Sequence, residues 1–342
     1  MINVGIIGAG RIGQVHMKSI MTGVPEAKVL AVADPFMKDE VASWLESVGV
    51  EKITKDYHEI LNDPRIDAVL ICASTDQHAP LSIEAIRAGK HVFCEKPVDH
   101  LASRIEEVKA ALAASPKKLK YQVGFNRRFD HNYRAMHDAV AAGKIGKVEF
   151  IRISSRDPEP PSPAYVAVSG GIFLDMAIHD FDMVRYLTGS EVAEVSAFGA
   201  CLVDPEIGRA GDVDTCTIML RFENGALGVI DNSRQAVYGY DQRIEVFGSK
   251  GCVTADNETA NNTTLYTADA VTREKPLWFF LERYNDAYIT EAQSFVEACL
   301  NDRETLVGVN DGLQPVLIGL AAKESCARRG APVKVANSTH ND

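Results

Sequence analysis

The chain is expected to be an α/β protein, with an N-terminal doubly wound parallel sheet followed by a C-terminal α+β domain built on a large, open, mainly antiparallel sheet. Three observations predict this. Short apolar runs alternate with amphipathic stretches over the first third of the sequence, which is the pattern of strands and crossover helices. A glycine-rich segment sits between the first such run and the first amphipathic stretch. Near Gly124 the pattern changes to longer segments in which apolar and polar residues alternate. At 342 residues the chain exceeds one ordinary core, and at ~150 residues per domain it divides into about two. The boundary is expected between residues 123 and 124.

In chain order, strands are expected at Val4 to Ile7, Val29 to Ala33, Ala68 to Cys72, His91 to Cys94 and Leu119 to Val123. Helices are expected between them at Ile12 to Met21, Lys38 to Ser47, Ala79 to Ala88 and Ala102 to Ala114. After a helix at Asp130 to Ala142, Cys216 to Phe222 alternates strictly, with Cys216, Ile218, Leu220 and Phe222 on one face. Asn224-Gly225 supplies a hairpin turn, since both residues tolerate positive φ. Gly248-Ser249-Lys250-Gly251 supplies a second one after the strand Arg243 to Phe247. Pro158 to Pro163 reads as a stiff loop, and helices at Asn285 to Leu300 and Asp311 to Arg329 finish the pattern.

Composition narrows the function classes. The chain is 46% hydrophobic and 24% charged, as in an ordinary globular protein. A formal charge of −11 disfavours nucleic acid and anionic lipid as partners, and Lys117-Lys118-Leu119-Lys120 and Arg127-Arg128 are too short to override it. The seven cysteines contain no CxxC pair and no zinc-type Cys/His spacing, so they read as reduced thiols of a cytoplasmic protein with no metal. The start goes directly into a strand without the form of a secretion signal, and no apolar run approaches the ~18 residues of a membrane span.

Gly8-Ala9-Gly10-Arg11-Ile12-Gly13 is a GxGxxG segment between strand and helix. There Gly8 makes the tight turn, Gly10 admits a pyrophosphate against the backbone, and Gly13 lets helix pack on strand. The helix N-terminus adds free N–H groups and partial positive charge. Arg11 either touches phosphate or is solvated. Asp34 ends the second strand 21 residues after Gly13, near the ~20 expected of an acid that binds ribose hydroxyls. A carboxylate there repels a 2′-phosphate, which favours NAD over NADP. A ligand-free glycine turn and a capping Asp34 before Pro35 are the competing readings.

Two further segments carry chemistry. Cys94-Glu95-Lys96-Pro97 follows the fourth expected strand, at the carboxyl edge where ligands bind in this architecture. Proline keeps Lys96 out of helical geometry, and an ammonium beside a cationic nicotinamide is suited to proton handling; a surface lysine paired with Glu95 is the alternative. In Gly170 to Asp182, Asp175, His179 and Asp182 are spaced to share one helical face. Hydride removal from an alcohol needs a base for the hydroxyl proton, a task suited to His179. An ordinary capping or exposed pair, or part of a metal site lacking a third ligand, would give the same spacing.

These segments, with Val123-Gly124-Phe125-Asn126-Arg127-Arg128-Phe129-Asp130 and Tyr238-Gly239-Tyr240-Asp241-Gln242, resemble the Gfo/Idh/MocA oxidoreductase family, and within it the branch acting on inositols. The resemblance runs from Val4 to about Val335. It implies a Rossmann domain, a substrate domain with an open sheet, and a homotetramer assembled through that sheet. It implies NAD-dependent oxidation of a cyclic polyol hydroxyl to a ketone, first of all myo-inositol to 2-keto-myo-inositol. scyllo-Inositol, D-chiro-inositol and C1 of an aldose are the alternatives, and a non-catalytic NAD-binding sensor is the reading from another class.

By the same resemblance Lys96, Asp175 and His179 form the catalytic group, with His179 as base, Lys96 polarising the oxygen and Asp175 holding a hydroxyl. Arg127, Asp157, Asp182 and Tyr238 contact ring hydroxyls. Ser74, Thr75, His78 and Glu95 join Gly8, Gly10, Arg11, Ile12, Gly13, Asp34 and Lys96 around the cofactor. Asp76 stands where many members of the family have proline.

Overall fold

The computed structural model describes residues 1–336. It divides into two compact units. The first comprises Met1–Phe129 together with Asp286–Val316, and the second comprises Asp130–Asn285 and, of the described residues, 317–336. The expected boundary at 123/124 therefore falls six residues early, and the return of 286–316 to the first unit had no counterpart in the sequence reading.

The first unit follows β1 (Ile2–Ile7), α1 (Arg11–Gly23), β2 (Ala27–Ala33), α2 (Asp39–Ser47), β3 (Lys52–Thr54), α3 (His58–Leu61), β4 (Ala68–Ile71), α4 (Thr75–Arg87), β5 (His91–Glu95), α5 (Ala102–Ala113) and β6 (Tyr121–Gly124). The six strands lie in the order β3-β2-β1-β4-β5-β6, and every pairing is parallel. This is the Rossmann order, which reverses between β1 and β4. β4 is buried at all four positions, as a strand covered on both faces must be.

The second unit begins with α6 (His131–Ala141), β7 (Val148–Arg156), α7 (Pro163–Ser169), α8 (Ile172–Asp175), α9 (Ala177–Thr188), β8 (Val192–Ala200) and α10 (Pro205–Arg209). It continues through β9 (Thr215–Phe222), β10 (Leu227–Ser233), β11 (Asp241–Gly248), β12 (Gly251–Ala255), the short hairpin β13 (Thr264–Tyr266) and β14 (Val271–Arg273), and α11 (Phe280–Arg283). Then come α12 (Asn285–Leu300), α13 (Val309–Ala327) and β15 (Val333–Lys334). The seven-stranded sheet runs β12-β11-β7-β10-β9-β8-β15. Only β7 and β10 pair in parallel; the other neighbours are antiparallel.

β9 buries Cys216, Ile218, Leu220 and Phe222 and exposes the residues between, as its alternation predicts. The β9–β10 turn differs from the expectation in one respect. Gly225 has φ +87°, whereas Asn224 does not enter the left-handed region, so a three-residue loop with a glycine at its end closes the hairpin.

α12 packs on the first unit because Ala292, Phe295 and Val296 share one core with Ile6, Met17 and Phe93. It also carries Glu291 into that core, fully buried, with neither carboxylate oxygen hydrogen-bonded. Burial, assisted by the charge of Glu95, holds this carboxyl well above its ordinary pKa. The folded state thus keeps a proton that the unfolded chain releases above about pH 4.3. Stability from this group is complete below that pH and declines as pH rises toward the folded pKa, by up to ~1.4 kcal/mol per pH unit. E291Q is therefore expected to gain stability relative to the parent chain as pH increases from 5 to 8. Urea unfolding at several pH values measures this, and a difference independent of pH would contradict it.

Candidate active site

Gly8 stands at φ +103°, where a Cβ would meet the Cys72 carbonyl at 2.5 Å. A Cβ at Gly13 would collide with the Gly8 carbonyl, whereas one at Gly10 would meet nothing within 4 Å. The turn is thus closed at Gly8 and Gly13 and open at Gly10, as a backbone approached by a pyrophosphate requires. Arg11 is exposed and Ile12 half-buried at the start of α1. One Asp34 oxygen accepts the Ala9 N–H at 2.8 Å and the other accepts the Phe36 N–H at 2.8 Å. Asp34 therefore holds the glycine turn itself, in addition to standing at the end of β2.

β5 brings Glu95, buried, and Lys96, half-buried, to the carboxyl edge of the first unit's sheet. Glu95 accepts the Lys96 backbone N–H at 3.1 Å and bonds the buried His16 ring at 2.5 Å. His78 lies buried on α4 with Nδ1 at 2.7 Å from the Pro97 carbonyl and Nε2 at 2.9 Å from the Ala73 carbonyl. Burial lowers its pKa, against the raising effect of those carbonyls. The ring ties the loop after β4 to the turn after Lys96. Ser74 is exposed and Thr75 half-buried at the start of α4. Asp76 follows them, its pKa lowered first by a hydrogen bond from Ser74. Arg127 is buried in a short 3-10 turn after β6.

In the second unit the Gly170-Gly171 pair has φ of +86° and +81°, and a Cβ at Gly171 would lie 2.7 Å from an Asp212 oxygen. Asp212 in turn accepts the Ile172 N–H at 2.9 Å. The helical face expected for Asp175 and His179 is interrupted: Asp175 ends α8, His179 lies in the first turn of α9, and Met176 separates them at φ −93°, ψ −60°. Asp182 is buried on α9, 3.9 Å from Arg185.

Asp175 is held from two sides. Arg234 donates to one oxygen at 3.0 Å and the Tyr165 hydroxyl donates to the other at 2.9 Å. Arg234 also reaches Asp157 at 3.5 Å, so it gathers two of the expected site acids. Its side chain is 3% exposed; burial opposes its charge, but Asp175 and Asp157 outweigh that and raise its pKa. Burial, then the Asp175 charge, raises that of Tyr165. Tyr238 belongs to a different cluster, donating to Asp241 at 2.5 Å and accepting from Arg156 at 3.2 Å.

Arg234 and Tyr165 were absent from the sequence reading. Tyr165 had a legible signal, since Ser162-Pro163 is an N-cap followed by a first-turn proline, and the stiff loop indeed leads into α7 with Ser162 accepting from Tyr165 N. Arg234 had none. Among the described residues, Asp130, His131 and Glu258 bring ligand-type atoms within 4.8 Å of one another. Arg283 already donates to Asp130 at 2.5 Å and lies 3.5 Å from Glu258, supplying the cluster's positive charge.

Residues 2–125 match the family model described as "Oxidoreductase family, NAD-binding Rossmann fold", and residues 133–254 match "GFO/IDH/MocA C-terminal domain". The chain belongs to the Gfo/Idh/MocA oxidoreductase family. It is 51% identical to the uncharacterized oxidoreductase YrbE of Bacillus subtilis over 97% of this chain and 96% of that one. It is 49% identical to the myo-inositol 2-dehydrogenase of Thermotoga maritima over 94% of this chain and 95% of that one. A solved structure of the scyllo-inositol dehydrogenase of Lactobacillus casei, with bound NAD(H) and scyllo-inositol, superposes with a TM-score of 0.90 at 33% identity, covering 98% of this chain and all (100%) of that chain.

In the NAD-binding Rossmann domain Asp34 holds the glycine turn through the Ala9 N–H, and we propose that it also binds the adenosine ribose. D34A is expected to weaken NAD binding by roughly the 1.5–3 kcal/mol of hydrogen bonds to a charged group, while discrimination against NADP falls. Fluorescence titration with each dinucleotide reads both effects; unchanged NAD affinity would contradict the assignment.

Proposed function

We propose that this chain oxidises one ring hydroxyl of a cyclic polyol to a ketone, with myo-inositol converted to 2-keto-myo-inositol as the leading reaction. NAD, held by Gly8, Gly10, Arg11, Ile12, Gly13 and Asp34 and flanked by Ser74, Thr75, His78, Glu95 and Lys96, accepts the hydride. The observation that carries the reading is the fixing of Asp175 by Arg234 and Tyr165, in a chain that retains Lys96 and His179 and matches an inositol dehydrogenase over nearly its whole length.

His179 takes the hydroxyl proton as the C–H bond breaks, since imidazole can accept a proton near neutral pH. The Lys96 ammonium polarises the same oxygen. Asp175, its orientation fixed, accepts from a substrate hydroxyl. Arg127, Asp157, Asp182 and Tyr238 contact the remaining hydroxyls, and such polar partners reject a ring that lacks the matching group more strongly than apolar walls do. Retention of Lys96, Asp175 and His179 argues against a sensor.

The enzyme works as a homotetramer in the cytoplasm in this reading. Phe198, Met219, Leu227 and Phe247 are exposed on the seven-stranded sheet, an apolar face suited to a subunit interface. The seven cysteines are free, and among the described residues no helix is long and apolar enough to cross a membrane.

A panel of myo-, scyllo- and D-chiro-inositol and an aldose, compared by kcat/KM with NAD, tests the substrate assignment. Highest kcat/KM for myo-inositol is expected. Preference for another isomer would replace the substrate, and turnover of the aldose alone would replace the substrate class.

A further inference from the structure

We propose that His16 is a positioning residue for Lys96, acting through Glu95. All three residues belong to the first unit. His16 lies on α1, the helix that begins at the glycine turn, and Glu95 is the last residue of β5. The Glu95 carboxyl spans the two: one oxygen meets His16 Nε2 at 2.5 Å and the other accepts the backbone N–H of Lys96 at 3.1 Å.

The surroundings fix this carboxyl. A Cβ at Gly124 would lie 3.0 Å from it, so the missing side chain on β6 provides its space. The His16 ring is fully buried and stands edge-on to Phe93 at 4.8 Å and to Tyr288 at 5.5 Å between ring centres. The two aromatic rings pack against the imidazole that faces Glu95.

A packing role alone accounts poorly for this arrangement. Burying an imidazole and a carboxyl costs free energy that a Leu/Met pair of similar volume would not. The fully buried Glu291 adds to that cost by standing close enough for Glu95 to raise its pKa. What the pair does provide is direction. The backbone N–H adjoining the Lys96 side chain is fixed to a carboxyl that is fixed to α1, so the helix that opens the dinucleotide turn and the reacting lysine share one hydrogen-bonded connection. A group misplaced by about 1 Å can lose roughly a hundredfold in rate, which gives such a connection a function.

The turnover arm of the test rests on the proposed dehydrogenase reaction; the labelling arm does not, so the two failures are distinguishable. H16L removes the ring nitrogen at similar volume, while H16Q can return an amide N–H to Glu95. For H16L, kcat is expected to fall by roughly tenfold to a hundredfold, with NAD affinity from fluorescence titration within about twofold. H16Q recovers most of the loss. Independently, the rate at which limiting acetic anhydride acetylates Lys96 in the NAD complex, followed by peptide mass spectrometry, is expected to change in H16L and return in H16Q. If H16L does not accumulate folded, E95L, which removes both carboxyl oxygens, takes its place, with the same change in Lys96 acetylation expected. Parental acetylation in H16L or E95L overturns the proposal. So does an equal loss of kcat in H16L and H16Q that merely follows a lowered Tm. If the parent chain turns over no polyol, the labelling result alone decides.

Discussion

Replacing His179 by alanine is expected to lower kcat by roughly 10²- to 10⁴-fold, the range that a positioned general base supplies, while NAD still binds with nearly parental affinity. His179 lies in the second unit, in the first turn of α9, whereas the glycine turn and Asp34 lie in the first. In the proposed mechanism, loss of the imidazole removes the proton acceptor and leaves Asp34 and the glycine turn unaltered. Single-turnover absorbance of reduced nicotinamide measures the chemical step, and fluorescence titration measures NAD binding. A variant retaining parental kcat would remove His179 from the base role, and one that lost NAD binding as well would show a folding defect instead.

The second large effect is expected at Arg234. R234M leaves Asp175 and Asp157 without their buried cation, and breaking one side of a buried ion pair costs about 3–5 kcal/mol. Because Tyr165 still donates to Asp175, that carboxyl is not freed completely; it takes up a proton more readily and loses its direction. Reduced stability in urea should therefore accompany a lower kcat/KM in R234M. R234K keeps the charge but not the forked geometry, so it should recover most of the stability and little of the catalysis. Wild-type stability in R234M would contradict the ion-pair account.

Much of this architecture is legible locally because local sterics dictate it. The spacing Gly8, Gly10 and Gly13 follows from a turn that admits no Cβ at its ends, and the alternation in β9 follows from one buried face. The motifs mark Lys96, Asp175 and His179 as candidates, because their segments pair glycine or proline with polar groups at fixed spacing. Other features depend on partners distant in sequence. Arg234 becomes significant only when β10 ends beside Asp175, 59 residues away in the chain. The return of α12 to the first unit depends on Phe295 and Val296 meeting Met17 and Phe93, and its own periodicity does not say which core it joins. Spacing alone treats Asp175 to His179 as one helix and carries no sign of the break at Met176. A lone histidine one turn into a helix, such as His16, carries no signal until Glu95 is placed against it.

The proposed hydride transfer from a polyol carbon to NAD is measured with myo-inositol deuterated at C2. One deuterium is expected in each reduced nicotinamide formed, together with 2-keto-myo-inositol. Reduced nicotinamide without deuterium, or none from any inositol, would contradict it.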